Sequence, residues 1–448
     1  MSEKKIIAII GGGYCGSMTA VNMLNQDKKN YKILLIEKNN LLARGLAYGV
    51  PDNNLLLNVP ASNMSAIANK PDDFLNYCIS LNSSYNKNSF VQRIIYGDYL
   101  EKTLNFAIKN NQNSIEIIKA EVIAIHNNKN NFIIEFKNGT KQIVEKVVLA
   151  LGHFEKELRT DVDKKFLVKP WDFFEISKIK KEKSVAIMGT GHTAIDILFK
   201  LTADNNQRKV IMFSRHGLLP HSHIFNKHPI QLEQNLNFLK NINPTILSYF
   251  HALRAEIKKC KLNNIDWRDV LTELRSHTAN IFQLLPNQEK SKFIKKILPY
   301  WSIHRHRLAP EAYSKLVQLI HSGQVRVFAG TLNELKVVNN MLKFKIRKNE
   351  DINEFTADIL IDCSGPNYDI DKISHPLIKQ LYQSDQIQPD SLKLGIKIDD
   401  NYHPINSKGQ SNNNLFYVGP MLMAKYWEAI AVPELSQHVY KVAIRVVK

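Results

Sequence analysis

Short apolar runs alternate along this chain with stretches in which apolar residues recur at helical spacing. The run KIIAII at 5–10 is followed by helical spacing from Met18 to Leu24, and a second run, YKILLIE, spans 31–37. Runs without polar alternation are typical of strands covered on both faces in a parallel sheet. The pattern predicts an α/β fold with Rossmann-like strand–helix–strand units.

Glycines connect the first run to its helix. Gly11, Gly13 and Gly16 match the pattern G-x-G-x-x-G. The first glycine allows a tight turn, the second lets backbone approach a pyrophosphate, and the third lets helix and strand pack closely. Glu37 follows about 20 residues later, where an acidic residue accepts hydrogen bonds from a ribose. The same dinucleotide site includes three further candidate contacts: Tyr14, Cys15 and Lys38.

A second glycine turn of the same design follows the run SVAIM at 184–188. Gly189, Gly191 and Ala194 occupy its three small positions. Two polar residues at the start of the next helix are also candidate cofactor contacts: His192 and Thr193.

The strand-like run after this turn ends in a cation instead of an acid. It reaches Ser214 and Arg215, and Arg215 can pair with a 2′-phosphate, which favours NADP(H) over NAD(H). A simple surface charge at a strand end is the alternative. Two dinucleotide sites of opposite charge preference predict one tightly held FAD and one exchanging nicotinamide cofactor.

The two turns also suggest how the chain is divided. We predict the first part of an FAD-binding domain at 1–155 and an NAD(P)-binding domain at 156–330, with a helical insertion at about 229–321. The chain is then expected to return to the FAD-binding domain and end in a C-terminal helix at 331–448.

Each unit closes with another apolar run. These runs, VVLALG and DILIDCSG, end at Gly152 and Gly365, both of which are candidate cofactor contacts. Residues 114–144 predict a hairpin-rich insertion in the first unit. The runs QVRVFAG and MLKFKIR repeat this pattern after the second unit.

Composition narrows the class of protein. The 448 residues are 44% hydrophobic and 23% charged, which is typical of a globular protein of two or three domains. The net charge of +18 comes from lysines spread among asparagines, which favours a solvated surface over nucleic-acid binding. Apolar runs too short for a membrane span, and the lack of a signal peptide, predict a cytoplasmic protein. Four dispersed cysteines without a CxxC pair argue against a disulfide framework and a metal site.

Several strings resemble the YdhS-type bacterial FAD/NAD(P)-binding proteins, which are distantly similar to the flavin-dependent lysine and ornithine N-hydroxylases. The resemblance runs over nearly the whole chain. It rests on GGGYCG, RGLAYGVPDNNLLLNVPASNMS, VVLALGH, GTGHTAID, SRHGLLPHSH, WSIHRHRLAPE, DCSGP and YVGPMLMAKYWEAIAVPEL.

The resemblance implies where FAD lies. It places Asn58, Val59, Pro60 and Met64 near the isoalloxazine ring. It also places the backbone of Val122 near the adenine. A helix N-terminus near Pro433 is expected to stabilise the anionic reduced flavin.

Two departures from related flavoproteins stand out. Gly419 is followed by Pro420, where relatives usually have a Gly-Asp pair whose Asp holds the ribityl chain. The oxygenase fingerprint FxGxxxHxxx, completed by Trp or Tyr, is absent after Gly152. No motif therefore demonstrates oxygen insertion.

Trp427 and Glu428 are candidate catalytic residues, because the resemblance places their segment near the flavin and a buried glutamate can act as acid or base. An alternative is that Glu428 pairs with an arginine or caps a helix. The His- and Arg-rich strings at 215–223 and 304–307 are candidates for a nucleotide or substrate cleft, with interdomain packing as their alternative.

These observations predict an FAD-dependent, NAD(P)H-using oxidoreductase. If oxygen accepts the electrons, the protein hydroxylates a small amine-bearing or anionic substrate. The alternatives are an NADPH-linked flavin reductase or dehydrogenase without oxygen insertion, and a non-catalytic nucleotide-binding interaction protein. The expected cofactors are FAD and NADP, with NAD less favoured. The expected partner is a small-molecule substrate, and the sequence does not indicate an oligomeric state.

Overall fold

The computed structural model describes residues 4–26, 30–157, 162–203, 207–224, 238–239 and 241–448. Residues 229–237, where the predicted helical insertion begins, lie outside the described residues. The strands are β1 (Lys5–Ile10), β2 (Tyr31–Glu37), β3 (Ile115–Lys119), β4 (Val122–Asn128), β5 (Asn131–Phe136), β6 (Lys141–Val144), β7 (Lys146–Leu149), β8 (Leu167–Val168), β9 (Val185–Met188), β10 (Val210–Ser214), β11 (Val325–Ala329), β12 (Thr331–Val338), β13 (Met341–Lys348), β14 (Asp351–Ala357), β15 (Ile359–Asp362) and β16 (Leu415–Tyr417).

Helices connect these strands and fill the stretch from 246 to 321. They are α1 (Tyr14–Leu24), α2 (Gly45–Tyr48), α3 (Asp73–Leu81), α4 (Arg93–Lys109), α5 (Phe173–Lys178), α6 (His192–Leu201), α7 (Ile246–Leu262), α8 (Trp267–Glu273), α9 (Thr278–Leu284), α10 (Asn287–Lys292), α11 (Leu298–Arg305), α12 (Pro310–His321), α13 (Pro376–Gln383) and α14 (Val432–Val446). Within the described ranges, no helix is long and apolar enough to cross a membrane.

Two parallel sheets form the centre of the fold and repeat one design. The first has the strand order β16-β7-β1-β2-β3, and the second, read in the same direction, has β8-β15-β9-β10-β11. β1, which precedes the first glycine turn, lies between β2 and β7. β9, which precedes the second glycine turn, likewise lies between β10 and β15. The carboxyl ends of these strands form the edge where parallel sheets bind ligands.

Three-stranded antiparallel sheets, β4-β5-β6 and β12-β13-β14, accompany the parallel sheets. Part of the hairpin prediction was wrong. Ile115–Lys119 and Val325–Ala329 pair in parallel with β2 and β10, so each forms an edge of a central sheet. A short apolar run fits either kind of sheet, because its pairing depends on strands far away in sequence.

The apolar runs are buried as expected for central strands. Ile7, Ile9 and Ile33 are at most 2% exposed, and they belong to a core that also includes residues of α1 and the C-terminal α14. A second core surrounds β9 and α6. This packing holds the two glycine turns on rigid strand–helix junctions.

Candidate functional site

The first glycine turn joins β1 to α1 in a backbone conformation that requires glycine. Gly11 has a φ of +107°, and a Cβ there would lie 2.5 Å from the carbonyl oxygen of Ala150. A Cβ on Gly16 would overlap the carbonyl oxygen of Gly11. Gly13 precedes α1 without a side-chain cap. The first N–H groups of α1 are therefore left for a phosphate, as the G-x-G-x-x-G pattern predicts.

Glu37 lies beside this turn at the end of β2. Its Oε2 accepts a hydrogen bond from the Gly12 N–H at 2.7 Å, and its Oε1 accepts one from the Asn39 N–H at 2.9 Å. Each carboxylate oxygen can still accept a second hydrogen bond, which suits the hydroxyls of a ribose. Lys38 lies nearby, with its Nζ 3.8 Å from Glu121.

The second glycine turn has the same geometry between β9 and α6. Gly189 has a φ of +127°, and a Cβ there would overlap the carbonyl oxygen of Cys363. Gly191 precedes α6 without a side-chain cap, and Ala194 is fully buried against the core. Both turns thus fit the diphosphate of a dinucleotide.

Thr190, which the sequence patterns did not identify, connects this turn to the end of β10. Its Oγ1 donates to the Leu218 carbonyl at 2.6 Å and lies 2.8 Å from the Ser214 Oγ. Arg215 follows Ser214 directly and is exposed. Side-chain hydrogen bonds therefore hold the turn to Ser214, the residue before the cation expected to bind a 2′-phosphate.

His192, at the start of α6, has one ring nitrogen bonded to the protein and one that is buried without a partner among the described residues. Its Nε2 donates to the His306 carbonyl at 3.1 Å, which leaves Nδ1 as an acceptor. That Nδ1 is buried and has no hydrogen-bond partner among the described residues. A buried acceptor without a partner fits an N–H donor on a bound ligand.

A cavity of about 1370 Å³ brings part of the predicted site together. Its lining combines the second glycine turn with the segment expected near the flavin ring. The predicted residues that line it are Asn58, Val59, Pro60, Met64, Gly189, Gly191, His192, Thr193, Ser214, Arg215 and Gly365.

Other predicted residues lie outside this lining. They are Gly11, Gly13, Tyr14, Cys15, Gly16, Glu37, Lys38, Val122, Gly152, Ala194, Gly419, Pro420, Trp427, Glu428 and Pro433. The segment after β2 covers the first turn, because the Ala43 N–H donates to the Gly12 carbonyl at 2.7 Å. A Cβ on Gly13 would lie 3.5 Å from the Gly45 Cα, so two glycines bring these backbones close together. The first glycine turn therefore lies under this segment and outside the lining of the cavity.

The other wall of the cavity comes from the two His- and Arg-rich strings. Leu308 exchanges backbone hydrogen bonds with His221 and His223, at 2.8 and 2.9 Å. The ring Nε2 of His223 donates to the Asn58 carbonyl at 3.0 Å. Since His306 accepts from His192, this wall contacts both the second glycine turn and the segment predicted near the flavin. From the sequence, these strings are candidates for lining a nucleotide or substrate cleft, with interdomain packing as the alternative.

Burial keeps the imidazoles of this wall neutral. Loss of hydration lowers the pKa of His192, His223 and His306 to about 3 each, and nearby arginines add to the effect. At neutral pH these rings therefore act as hydrogen-bonding groups without charge.

Trp427 and Glu428 lie behind the cavity. Glu428 is 2% exposed, accepts from the Trp301 Nε1 at 2.8 Å, and has its Oε2 2.9 Å from the Arg305 Nη2. Trp427 stacks on Phe282 with ring centroids 4.6 Å apart. Glu428 is therefore paired with an arginine in the structure. From the sequence, this pairing is the alternative to a catalytic role.

The C-terminal region brings a helix end to the cavity. α14 begins at Val432, with Pro433 in its first turn, so a helix start near Pro433 is confirmed. Ile430, Ala431 and Val432 line the cavity. Gly419, with a φ of +153°, precedes a buried Pro420.

Comparison with known proteins supports the cofactor assignment for the first unit. Residues 8–154 match a family model described as FAD-NAD(P)-binding. This range extends from β1 past β7 and includes the first glycine turn and Glu37. A search of curated proteins gives no match.

Solved structures share the fold over nearly the full length. The cadaverine monooxygenase DfoA of Erwinia amylovora, solved bound to FAD, is 12% identical, with a TM-score of 0.66 over 99% of this chain and 94% of that one. The L-lysine 6-monooxygenase of Pseudomonas syringae is 12% identical, with a TM-score of 0.66 over 99% of each chain. The ornithine N-hydroxylase KtzI of Kutzneria sp. 744 is 12% identical, with a TM-score of 0.64 over 99% of each chain.

These likenesses confirm the predicted fold, an α/β protein with two Rossmann-like dinucleotide-binding units. FAD/NAD(P) binding is the property that the family model assigns to the first unit. The predicted class of FAD-dependent NAD(P)H oxidoreductases agrees with both findings. Membership of the YdhS-type proteins and the domain boundaries remain predictions.

Proposed function

We propose that the protein is an FAD-dependent oxidoreductase that takes electrons from NADPH and uses oxygen to hydroxylate a small substrate. One observation carries this proposal. A single cavity is lined by the second glycine turn with Arg215 and by the segment 58–64 expected near the flavin ring. A nicotinamide and a flavin that shared this cavity could meet in it, and hydride transfer requires such contact.

Each wall of the cavity has a role in this proposal. The N–H groups at the start of α6 would bind the NADPH diphosphate, and Ser214 and Arg215 would bind its 2′-phosphate. The unpaired Nδ1 of His192 would accept an N–H of the cofactor. Because His192, His223 and His306 are neutral, these three rings would orient groups by hydrogen bonding.

The bound flavin would supply the chemistry that no side chain of this cavity offers, namely accepting a hydride and passing electrons to oxygen. In the overall balance, NADPH supplies two electrons and, with one proton, reduces one oxygen atom to water. The other oxygen atom enters a bond of the substrate. The fold neighbours that act on cadaverine, lysine and ornithine support an amine-bearing substrate.

A visible spectrum tests the redox part of the proposal. The pure protein should show flavin absorbance, and anaerobic NADPH should bleach it faster than NADH does. A colourless protein that does not bind added FAD would contradict the proposal. Equal rates with NADH and NADPH would contradict only the role given to Arg215.

Oxygen chemistry needs its own test. With NADPH and a suitable amine, oxygen consumption should match hydroxylated product, measured by mass spectrometry. The absent oxygenase fingerprint after Gly152 favours the alternative, an NADPH-linked flavin reductase or dehydrogenase without oxygen insertion. That alternative would be supported if every amine tried gave only hydrogen peroxide.

A further inference from the structure

The cavity is lined by several arginines, and most of them are neutralised inside the protein. The Arg93 Nη1 lies 2.8 Å from an Asp196 oxygen. Arg275 donates to both carboxylate oxygens of Glu434, and Arg305 pairs with Glu428 at 2.9 Å. These pairs cancel most of the positive charge of the wall, so these cations are already occupied.

Arg307 differs from these arginines. It is 5% exposed and lines the cavity, yet within the described part of the chain no carboxylate lies within 4 Å of its guanidinium. Its Nη2 donates to the Thr272 Oγ1 at 2.8 Å and its Nη1 donates to the Arg268 carbonyl at 3.4 Å. Its buried Nε has no hydrogen-bond partner among the described residues, as is also true of the Arg305 Nε, so the absence of a carboxylate is what distinguishes Arg307.

A buried cation without a counter-ion is costly. Loss of hydration and the neighbouring charges of Arg305 and Arg268 lower the pKa of Arg307 to about 10. Asp266, which caps α8, and Asp269 on α8 attract it at longer range, but neither forms an ion pair with it. An anion entering the cavity would supply the missing partner.

Arg307 also lies in the chain between two residues whose backbones lead to the two predicted cofactor positions. The preceding residue, His306, accepts from His192 at the second glycine turn. The following residue, Leu308, pairs with the backbone of His223, whose ring contacts the Asn58 carbonyl. The distinct cation of the nucleotide strand, Arg215, follows β10 on another element. Arg307 and the segment predicted near the flavin line the same cavity, so a group bound at Arg307 would share that cavity with the flavin ring.

We propose that Arg307, oriented by Thr272, binds a carboxylate of the substrate and makes the enzyme specific for anionic substrates. A guanidinium can grip a planar carboxylate through two parallel hydrogen bonds. A bare diamine lacks this group and would be a poor substrate. This inference rests on the proposed function, because it takes the bound anion to be the substrate of that reaction. The anion site itself can be tested without any turnover.

The test compares two probes of equal carbon number and opposite charge, butyrate and butylamine. Each is titrated into the protein as purified, at constant ionic strength, with saturating NADP⁺ present. Binding is followed by the unfolding temperature and by the flavin absorbance. Butyrate should stabilise the wild-type protein and butylamine should not. In Arg307→Met the butyrate Kd should rise roughly 10-fold or more, and in Arg307→Lys it should rise less.

A control variant and a second test variant complete the experiment. Arg254→Met removes an exposed arginine of α7 outside the cavity and should bind butyrate like the wild type. Thr272→Val removes the acceptor for Nη2 and should weaken butyrate binding even if Arg307→Met fails to fold. Equal butyrate binding by the wild type and Arg307→Met, or none by the wild type, would overturn the proposal.

The same variants separate two sources of the anion. If Arg307 binds a cofactor phosphate instead, Arg307→Met should weaken NADPH binding and leave butyrate binding unchanged, and the proposal fails. The unfolding temperature requires neither flavin nor turnover. A protein that binds butyrate through Arg307 but lacks flavin would therefore disprove the redox function and leave the anion site standing.

Discussion

Arg93 of α4 and Asp196 of α6 form a buried two-point ion pair at the cavity. The Arg93 Nη1 lies 2.8 Å from one carboxylate oxygen, and its Nη2 donates to the other at 3.2 Å. The Arg93 Nε also donates to the Leu56 carbonyl, beside the segment expected near the flavin. One side chain therefore connects that segment to the helix that follows the second glycine turn.

Removing this arginine should destabilise the protein in a pH-dependent way. Burial raises the pKa of Asp196 to about 6, and the charge of Arg93 opposes that shift. A carboxyl whose pKa is raised by folding costs stability as the pH rises through that value. In Arg93→Met the pKa of Asp196 should rise further. The free energy of unfolding should therefore fall by about 3–5 kcal/mol at pH 8 and by less at pH 5.

Urea unfolding at the two pH values measures this difference. Arg254→Met, on an exposed part of α7, is the control and should change the free energy of unfolding little at either pH. An equal loss at pH 5 and pH 8 in Arg93→Met would mean that the ionisation of Asp196 does not depend on Arg93.

Gly16→Ala should disrupt the first dinucleotide site. The new Cβ would overlap the Gly11 carbonyl, so α1 must move away from the turn, at a cost of about 3 kcal/mol. We expect lower flavin content and a lower free energy of unfolding for the flavin-free protein. Gly152→Ala is the control for the free energy of unfolding, because a Cβ at position 152 meets nothing within 4 Å. Flavin content equal to wild type would argue against diphosphate binding at this turn.

Arg215→Ala should change the preference between nicotinamide cofactors. Loss of a charge-assisted hydrogen bond to a phosphate corresponds to roughly a 10- to 100-fold increase in the Kd for NADPH, with little change for NADH. Arg326→Ala removes an exposed arginine near the opposite end of the neighbouring strand β11 and serves as the control. A parallel loss of NADH binding would show that Arg215 acts on the fold and not on the 2′-phosphate.

Glu428 has a φ of +68°, a conformation that costs a non-glycine residue about 1–2 kcal/mol. Glu428→Ala and Glu428→Gly both leave Arg305 without its closest partner, but glycine relieves the backbone. The glycine variant should therefore have the higher free energy of unfolding, by about 1 kcal/mol.

The opposite order is expected at a helical position. Glu273, at the end of α8, has a φ of −66°, so Glu273→Gly should be less stable than Glu273→Ala by about 1 kcal/mol. If alanine were also the better substitute at position 428, the positive φ would not be a source of strain.

The glycine turns could be predicted because everything they require lies within one strand–turn–helix unit. Gly11 needs its positive φ and Gly16 needs close contact with Gly11, five residues away. The position of Glu37 beside the turn was also predictable, because Glu37 ends β2 and β2 pairs directly with β1. Local spacing was therefore sufficient for the α/β class and for the geometry of both glycine turns.

Pairing between distant segments was not predictable in this way. Ile115–Lys119 has the same apolar character in a hairpin as at the edge of a parallel sheet, and only the presence of β2 beside it decides between them. The position of the segment after β2 over the first glycine turn was likewise not predictable, because it depends on the hydrogen bond from the Ala43 N–H to the Gly12 carbonyl.

The sequence by itself determined the α/β class, the repeated unit and the position of each glycine turn, because these depend on hydrophobic period and on residues close along the chain. Only the tertiary structure decided which charges are paired. Arg305 and Arg307 are two residues apart, yet one meets Glu428 from the C-terminal region and the other meets no carboxylate among the described residues. That difference arises from where distant segments fold together, and it is the basis for assigning Arg307 to an anion.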